Sequence, residues 1–217
     1  MSKDYYKTLL VSQSGCGKTM SARNLSRETT GFVNTENKPL PFKGQFKYHE
    51  RPKTLGETTA ILIEYAKNPE INVIFLDSLS AVFEMVLLDA RKRYKGFDVW
   101  NNYNTEIQTF IDLIKRIPKE IFITAHYEII GIEGNQEKRV KVKGKELEGV
   151  IERDFTIVLF ADKKFNDKGL PDYYFNLVQE GTSAKCPPDI FGEDVLKISN
   201  DCQLIVENIN KFTAVPL

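Results

Sequence analysis

The chain has 217 residues, of which 41% are hydrophobic and 28% are charged. This length can bury a large core without the help of disulfides or metals, so we expect one domain over residues 1–217. Thirty basic residues balance thirty acidic residues, which excludes nucleic-acid binding through bulk charge. The three cysteines fit neither a disulfide framework nor a metal-site spacing, and no apolar run could cross a membrane. We therefore expect a soluble cytoplasmic protein.

Short apolar runs alternate with helical patterns through the first 126 residues, which is typical of a parallel α/β sheet with helices on its faces. The runs KTLLVS, GFVNTE, INVIFLD and EIFITAH predict four strands, and QFKYHE predicts a short fifth strand. The spacing of apolar residues predicts helices over about residues 19–28, 54–68, 79–94 and 99–117.

The pattern changes after residue 126. The segment IIGIEGNQEKRVKVKGKELEG alternates in polarity and carries glycines, which predicts a flexible hairpin or loop within about residues 127–153. FTIVLFAD and YYFNLVQ predict two antiparallel strands, and DCQLIVENINKF predicts a final helix. The expected fold is therefore α/β, with a mostly parallel sheet, flanking helices and antiparallel strands near the C-terminus.

The stretch SQSGCGKT, between the first predicted strand and helix, predicts a phosphate-binding loop. Gly15 and Gly17 permit a tight turn whose N–H groups surround phosphate oxygens, and the following helix adds its positive end. Lys18 reaches the terminal phosphates, and the Thr19 hydroxyl is a ligand for Mg²⁺. Ser12 replaces the usual first glycine at a position that mainly requires a small residue. The predicted ATP-binding residues are Ser12, Gln13, Ser14, Gly15, Cys16, Gly17, Lys18 and Thr19.

Polar residues end three of the predicted strands: Glu36 closes GFVNTE, Asp77 closes INVIFLD and His126 closes EIFITAH. Because the carboxyl ends of parallel strands meet at one edge of a sheet, these side chains should lie beside the loop. Asp77 is then placed to hold the water shell of Mg²⁺. Glu36 could orient or deprotonate a water molecule, and His126 could sense the terminal phosphate. Polar strand ends without a catalytic role are the alternative interpretation for Glu36 and His126.

Two clusters of basic residues are candidates for DNA binding. In KRVKVKGK the charges alternate, so an extended chain would place them on one side, as a phosphodiester backbone requires. In ARKRYKGFDVWNNY they stand beside aromatic residues, which suits single strands because bases stack on aromatic rings. A solvated hairpin face, and packing of Trp100 and Tyr103 against the following helix, are the competing interpretations. The DNA-binding candidates are Arg139, Lys141, Lys143, Lys145, Arg91 and Arg93.

The motifs SGCGKT, FVNTEN, VIFLDSLSA and IFITAHYE occur in the order of the RecA-type ATPase core. With KGKELEGVIERDF and SAKCPPDIF, the chain resembles small phage-encoded RecA-core proteins, the phage nucleotide-binding or single-strand annealing proteins, over about residues 7–191. The resemblance implies that Glu36 activates water, that His126 is the phosphate sensor and that the basic segment binds DNA. It also makes Lys185 a candidate cation for a neighbouring subunit's nucleotide. Asn34 departs from the pattern, because an acidic residue is common there.

These observations predict a RecA-like protein that binds and hydrolyses ATP with Mg²⁺ and binds single-stranded DNA in phage recombination or strand annealing. Glu36, Lys18 and His126 are the predicted catalytic residues. The expected partners are further copies of the chain, in a ring or filament, and a single-strand-binding protein of host or phage, in an infected bacterial cell. Two alternatives remain: a small-molecule kinase, and a nucleotide-gated scaffold that hydrolyses little ATP.

Overall fold

The computed structural model describes residues 4–214, and within them the chain forms ten β-strands and five α-helices. The strands are β1 (Lys7–Val11), β2 (Thr30–Asn34), β3 (Tyr48–Glu50), β4 (Val73–Asp77), β5 (Glu120–Ala125), β6 (Tyr127–Ile132), β7 (Asn135–Val140), β8 (Ile157–Phe165), β9 (Pro171–Asn176) and β10 (Lys197–Ser199). The helices are α1 (Leu55–Lys67), α2 (Leu79–Arg93), α3 (Asp98–Arg116), α4 (Pro188–Phe191) and α5 (Cys202–Ala214). Short 3₁₀ helices cover Thr19–Asn24, Lys145–Leu147 and Glu152–Asp154.

Eight of the strands form one sheet in the order β10-β9-β8-β1-β5-β4-β2-β3. The pairs from β8 to β3 are all parallel, whereas β9 and β10 are antiparallel to their neighbours. The predicted α/β fold is thus confirmed, including its C-terminal antiparallel strands. One detail differs: β8 is antiparallel to β9 but parallel to β1, so it belongs to the parallel core. The carboxyl ends of β1, β5, β4 and β2 therefore meet at one edge.

Both faces of the sheet are covered, which explains the nearly unbroken apolar runs of its central strands. On one face, Leu9 and Ile74 pack in a core with α1, α2 and α3. On the other face, Leu10 and Phe75 pack with α5 and the first 3₁₀ helix. Within residues 4–214, none of the helices has both the length and the apolar character needed to cross a membrane.

The segment after the phosphate loop is shorter than predicted. Instead of a helix over about residues 19–28, it forms a 3₁₀ helix that ends at Asn24, and Leu25 is already extended. The guanidinium of Arg27 donates hydrogen bonds to the carbonyl oxygens of Ala22, Arg23 and Leu25. These side-chain bonds satisfy carbonyls that a longer helix would otherwise pair through its backbone. α4 and β10 are further elements that the sequence did not predict.

The predicted hairpin is present as the antiparallel pair β6–β7, which is separate from the main sheet. Its first strand begins one residue after His126, at the carboxyl edge where β5 ends. The chain that follows, from residue 141 to residue 156, contains two 3₁₀ turns and no strand.

Candidate functional site

The phosphate loop joins β1 to the first 3₁₀ helix and lines a cavity of about 360 Å³. Gly15 and Gly17 have φ values of +78° and +84°, which the L-residues rarely adopt. The side chain of Lys18 is buried, and its Nζ donates hydrogen bonds to the carbonyl oxygens of Ser12 at 2.9 Å and Gln13 at 3.0 Å. Burial lowers the pKa of Lys18 to about 8. The lysine is therefore folded back on its own loop and must turn outward to pair with a phosphate.

Ser12, the departure from the usual glycine, has a specific contact in the structure. It is fully buried, and its Oγ accepts a hydrogen bond of 3.0 Å from Lys18 Nζ while it donates to the Gln13 carbonyl at 2.8 Å. A glycine cannot make either bond. The serine thus helps to hold the lysine in place.

Asp77 lies at the end of β4, buried between two hydroxyl groups. Thr19 Oγ1 donates to its Oδ2 at 2.7 Å, and Thr124 Oγ1 donates to its Oδ1. Burial raises the pKa of Asp77, so a cation nearby would stabilise the ionised form. A hydroxyl and a carboxylate in contact beside a phosphate loop fit Mg²⁺, which is held by few protein ligands and by phosphate oxygens. Thr19 and Asp77 are the residues that would hold the ion, and their roles as magnesium-binding residues stay predictions.

Glu36 lies in the turn after β2 and lines the nucleotide cavity. Its two carboxylate oxygens accept hydrogen bonds from Ser78 Oγ at 2.6 Å and Lys38 Nζ at 2.5 Å. Burial raises the pKa of Glu36, but the bonds from Lys38 and Ser78 outweigh it and hold the pKa below its usual value. The buried Asn34 supports this turn, because its Nδ2 donates to the Lys38 carbonyl at 2.8 Å. Asn34 therefore has a structural role at the position where an acid is common.

His126 follows β5 and stands between two cavities. Its Nδ1 is 3.4 Å from Lys18 Nζ, and it lines both the nucleotide cavity and a second cavity of about 430 Å³. Burial and the nearby charge of Lys18 lower the pKa of His126, so the ring is neutral at pH 7. Its backbone N–H donates to Ser80 Oγ at 2.9 Å, and its carbonyl accepts from the N–H of Lys141 at 2.8 Å. One residue thus touches the phosphate-loop lysine and the segment after the hairpin.

Three of the four alternating basic residues keep the predicted arrangement. Val140 and Val142 are buried, so Lys141 and Lys143 point outward on the same side as Arg139. Lys141 and Lys143 line the second cavity, next to His126. Lys145 leaves the row, and its predicted place there is wrong. Gly144 has φ +84° and turns the chain into the 3₁₀ helix that begins at Lys145.

In the second basic cluster two aromatic residues are packed inside the protein, whereas Tyr94 and Phe97 are exposed beside the basic residues. Tyr103 is fully buried, and Trp100 packs edge-on against it with ring centroids 6.2 Å apart. Arg93 is paired with Glu106 at 2.6 Å, whereas Arg91 is exposed. Trp100 and Tyr103 thus belong to α3 and pack within the protein, and DNA binding by Arg91 and Arg93 stays a prediction.

Lys185 is not among the residues that line the cavity beside the phosphate loop of its own chain. Its backbone pairs with Val158, in the first half of β8, and its Nζ donates to the Arg153 carbonyl at 3.3 Å. Its predicted role at a neighbouring subunit's nucleotide stays a prediction.

Sequence reasoning missed several groups around the loop. Lys38 and Ser78 hold Glu36, and Thr124 holds Asp77. Ser78 and Thr124 stand next to the strand ends at Asp77 and His126, so their closeness in sequence to these predicted site residues could have identified them. Tyr173 lines the cavity and Lys163 Nζ is 3.3 Å from the Gly15 carbonyl oxygen. Both come from distant parts of the chain.

Within residues 4–214, no cluster of three or more acidic, histidine or cysteine side chains could hold a metal by itself.

A family model described as an AAA domain matches residues 4–194 of the chain. The match begins before β1, includes the phosphate loop, and ends between α4 and β10. No curated protein matches the sequence significantly.

Proposed function

The chain belongs to the AAA-domain family and has a nucleotide-binding P-loop domain. From this premise we propose that it couples ATP hydrolysis to the binding of single-stranded DNA. We place this activity in phage recombination or strand annealing, with Mg²⁺ as cofactor. Its subunits would assemble with one another, and a single-strand-binding protein would be a further partner.

The position of His126 is the observation that carries the proposal. Its ring is 3.4 Å from the lysine of the phosphate loop, and its carbonyl holds Lys141 at 2.8 Å. A terminal phosphate that draws Lys18 outward removes the contact to His126 and changes the charge beside the ring. Since His126 also holds the basic segment, this change can reach Lys141 and Lys143 in the second cavity. ATP would in this way bias the surface that contacts DNA.

The hydrolytic step follows from the groups that line the nucleotide cavity. Glu36 would orient a water molecule whose oxygen forms a bond to the terminal phosphorus as the bond from that phosphorus to the leaving ADP oxygen breaks. The water proton passes to the Glu36 carboxylate. Lys18 and the loop N–H groups stabilise the charge that develops on the phosphate oxygens. When bound, Mg²⁺ at Thr19 and Asp77 adds positive charge at the same place.

Measuring ATP hydrolysis with and without single-stranded DNA tests this proposal. We expect DNA to stimulate turnover, and we expect Glu36→Gln to reduce turnover by about 100-fold while ATP binding is retained. Turnover that Glu36→Gln leaves unchanged would remove Glu36 from the mechanism. Stimulation by a small metabolite and not by DNA would indicate a kinase.

DNA binding is tested separately by the double variant Lys141→Ala, Lys143→Ala. If each lysine pairs with one phosphate, the slope of log affinity against log salt concentration should become shallower by about 1.4. Each phosphate contact on a single strand contributes about 0.7 to that slope. The matched control is Lys92→Ala, Lys95→Ala, which removes two exposed lysines near the end of α2. An unchanged slope in the first variant and a reduced slope in the second would assign DNA binding to the α2 end.

A nucleotide-gated scaffold with little hydrolysis is a second candidate, because both oxygens of Glu36 are already engaged and its pKa is lowered. A weakly basic carboxylate is a poor proton acceptor. Stoichiometric ATP binding that alters DNA affinity without measurable turnover would favour this candidate.

A further inference from the structure

The antiparallel pair β8–β9 extends beyond the edge of the sheet at which the phosphate loop lies. Pairing between β1 and β8 ends at Val11 and Phe160. β8 nevertheless continues to Phe165, and β9 stays paired with it up to Pro171. The extension therefore stands beside the phosphate loop, which begins directly after Val11.

Two side chains of this extension lie against the two glycines that shape the loop. Lys163 and Tyr173 are direct cross-strand partners, so they share one face of the pair. Lys163 Nζ donates a hydrogen bond of 3.3 Å to the Gly15 carbonyl oxygen. A β-carbon placed on Gly17 would lie 3.1 Å from the Tyr173 ring, which also lines the nucleotide cavity. Tyr173 thus forms part of the wall of the nucleotide cavity, and Lys163 lies beside the loop, next to the residues that line the cavity.

Lys163 differs from Lys18 and Lys38, the two lysines that line the cavity, because it is not held by a carboxylate or by several loop oxygens. Lys38 is ion-paired with Glu36 at 2.5 Å, and Lys18 donates to three oxygens of its own loop. Within the described residues 4–214, Lys163 has no carboxylate within ion-pair distance, and its partner in the loop is a neutral carbonyl. A phosphate oxygen is a stronger acceptor for an ammonium group than a carbonyl oxygen.

We propose that Lys163 is a nucleotide-binding residue that pairs with the terminal phosphate of ATP bound to its own subunit. Tyr173 packs against Gly17 and supports the turn of the phosphate loop. This inference rests on the proposed function, since it assigns a further residue to the same ATP site. Lys163 would supply, from the same chain, the positive charge that the family resemblance assigned to Lys185 of a neighbouring subunit. The interaction depends on the terminal phosphate, so it distinguishes ATP from ADP.

Titration of wild-type protein and Lys163→Ala with fluorescent (methylanthraniloyl) ATP and ADP in the presence of Mg²⁺ tests the assignment. We expect Lys163→Ala to weaken ATP binding by about tenfold or more and ADP binding by less than about threefold. Lys163→Arg should restore the preference for ATP. The matched control is Lys164→Ala, which removes the adjacent exposed lysine on the opposite face of β8. An unchanged ratio of ATP to ADP affinity in Lys163→Ala overturns the proposal, as does an equal loss for both nucleotides in a variant that melts like wild type.

The same titration separates this inference from the proposed function. If the wild type binds ATP but neither hydrolyses it nor responds to DNA, the proposed function fails while the two affinities still decide the role of Lys163. If the wild type is a DNA-stimulated ATPase and Lys163→Ala keeps its nucleotide preference, only the inference fails.

Mixing two impaired variants decides whether Lys163 acts within its own subunit. Lys163→Ala and Glu36→Gln each damage one group of the site. If Lys163 serves its own subunit, no site in a mixed assembly contains both groups, and activity stays low. Activity that recovers on mixing, to a level above that of either variant alone, would show that the lysine acts on a neighbour and would overturn the proposal.

Discussion

Replacing Gly17 with alanine tests whether the wall formed by Tyr173 and the loop is as closely packed as the structure shows. Gly17 has φ +84°, and a β-carbon there would lie 3.1 Å from Tyr173 Cδ1 and 3.2 Å from Asn200 Oδ1. Adopting this φ costs an alanine about 1–2 kcal/mol. Crowding in a packed site costs about 1–3 kcal/mol more. We therefore expect Gly17→Ala to lower the free energy of unfolding by about 2–5 kcal/mol.

Gly134→Ala is the matched control for this variant. Gly134 has nearly the same φ, +87°, but a β-carbon there would meet no atom within 4 Å. It should therefore lose only the strain of about 1–2 kcal/mol. Urea unfolding of both variants measures the difference, and titration with ATP shows whether the loop still binds phosphate. Equal losses of stability in the two variants, with ATP affinity intact in Gly17→Ala, would refute the close contact between the loop and the β8–β9 wall.

Three further predictions concern single groups at the site. ATP affinity should fall by up to about tenfold per pH unit above pH 8, where the free Lys18 (pKa about 8) loses its proton and its attraction for phosphate; a flat profile would contradict this. A maleimide at pH 7 should modify the partly exposed Cys16 before Cys186, whose pKa burial raises to about 12, and MgATP should protect Cys16; peptide mass analysis measures both effects. Lys38→Met should raise the pKa of Glu36 and increase kcat by about twofold to fivefold, and a decrease would show that the lysine assists catalysis.

The part of the site formed by Asp77 and His126 beside the phosphate loop could be predicted, because these residues lie at the ends of strands that run parallel to one another. Each strand ends at the same edge, so a polar residue at the end of an apolar run is brought near the loop whatever the packing details. Asp77 and His126 are found there for this reason. The sequence could not show that Glu36 would be bound on both oxygens, because Lys38 reaches it through the shape of a turn. Nor could it show that Ser12 would hold Lys18, since a small residue was all that the motif required.

Glycines and packing explain where the pattern-based predictions failed. Alternation predicts a row of four cations after His126 only if the chain stays extended, and Gly144, with φ +84°, ends that extension before Lys145. The aromatic residues near Arg91 suggested base stacking, but Tyr103 lies on the buried face of α3 and is part of the core. Composition alone does not distinguish an aromatic residue that packs inside from one that binds a ligand.

The part of the site formed by Lys163, Tyr173 and Asn200 could not be predicted from the family likeness or from the strand pattern. Tyr173 and Lys163 reach the loop because β8 and β9 stay paired beyond the sheet edge, a length that no motif specifies. Asn200 comes from outside the matched residues 4–194, yet it lies against Gly17 with both side-chain amide atoms buried and unpaired among the described residues. Unpaired buried amide groups cost free energy, so the side chain of Asn200 lowers the stability of this part of the site. The phosphate loop is thus common to a large class of proteins, whereas the surface that supports it comes from the C-terminal third of the chain, and one of its residues, Asn200, lies beyond the matched residues.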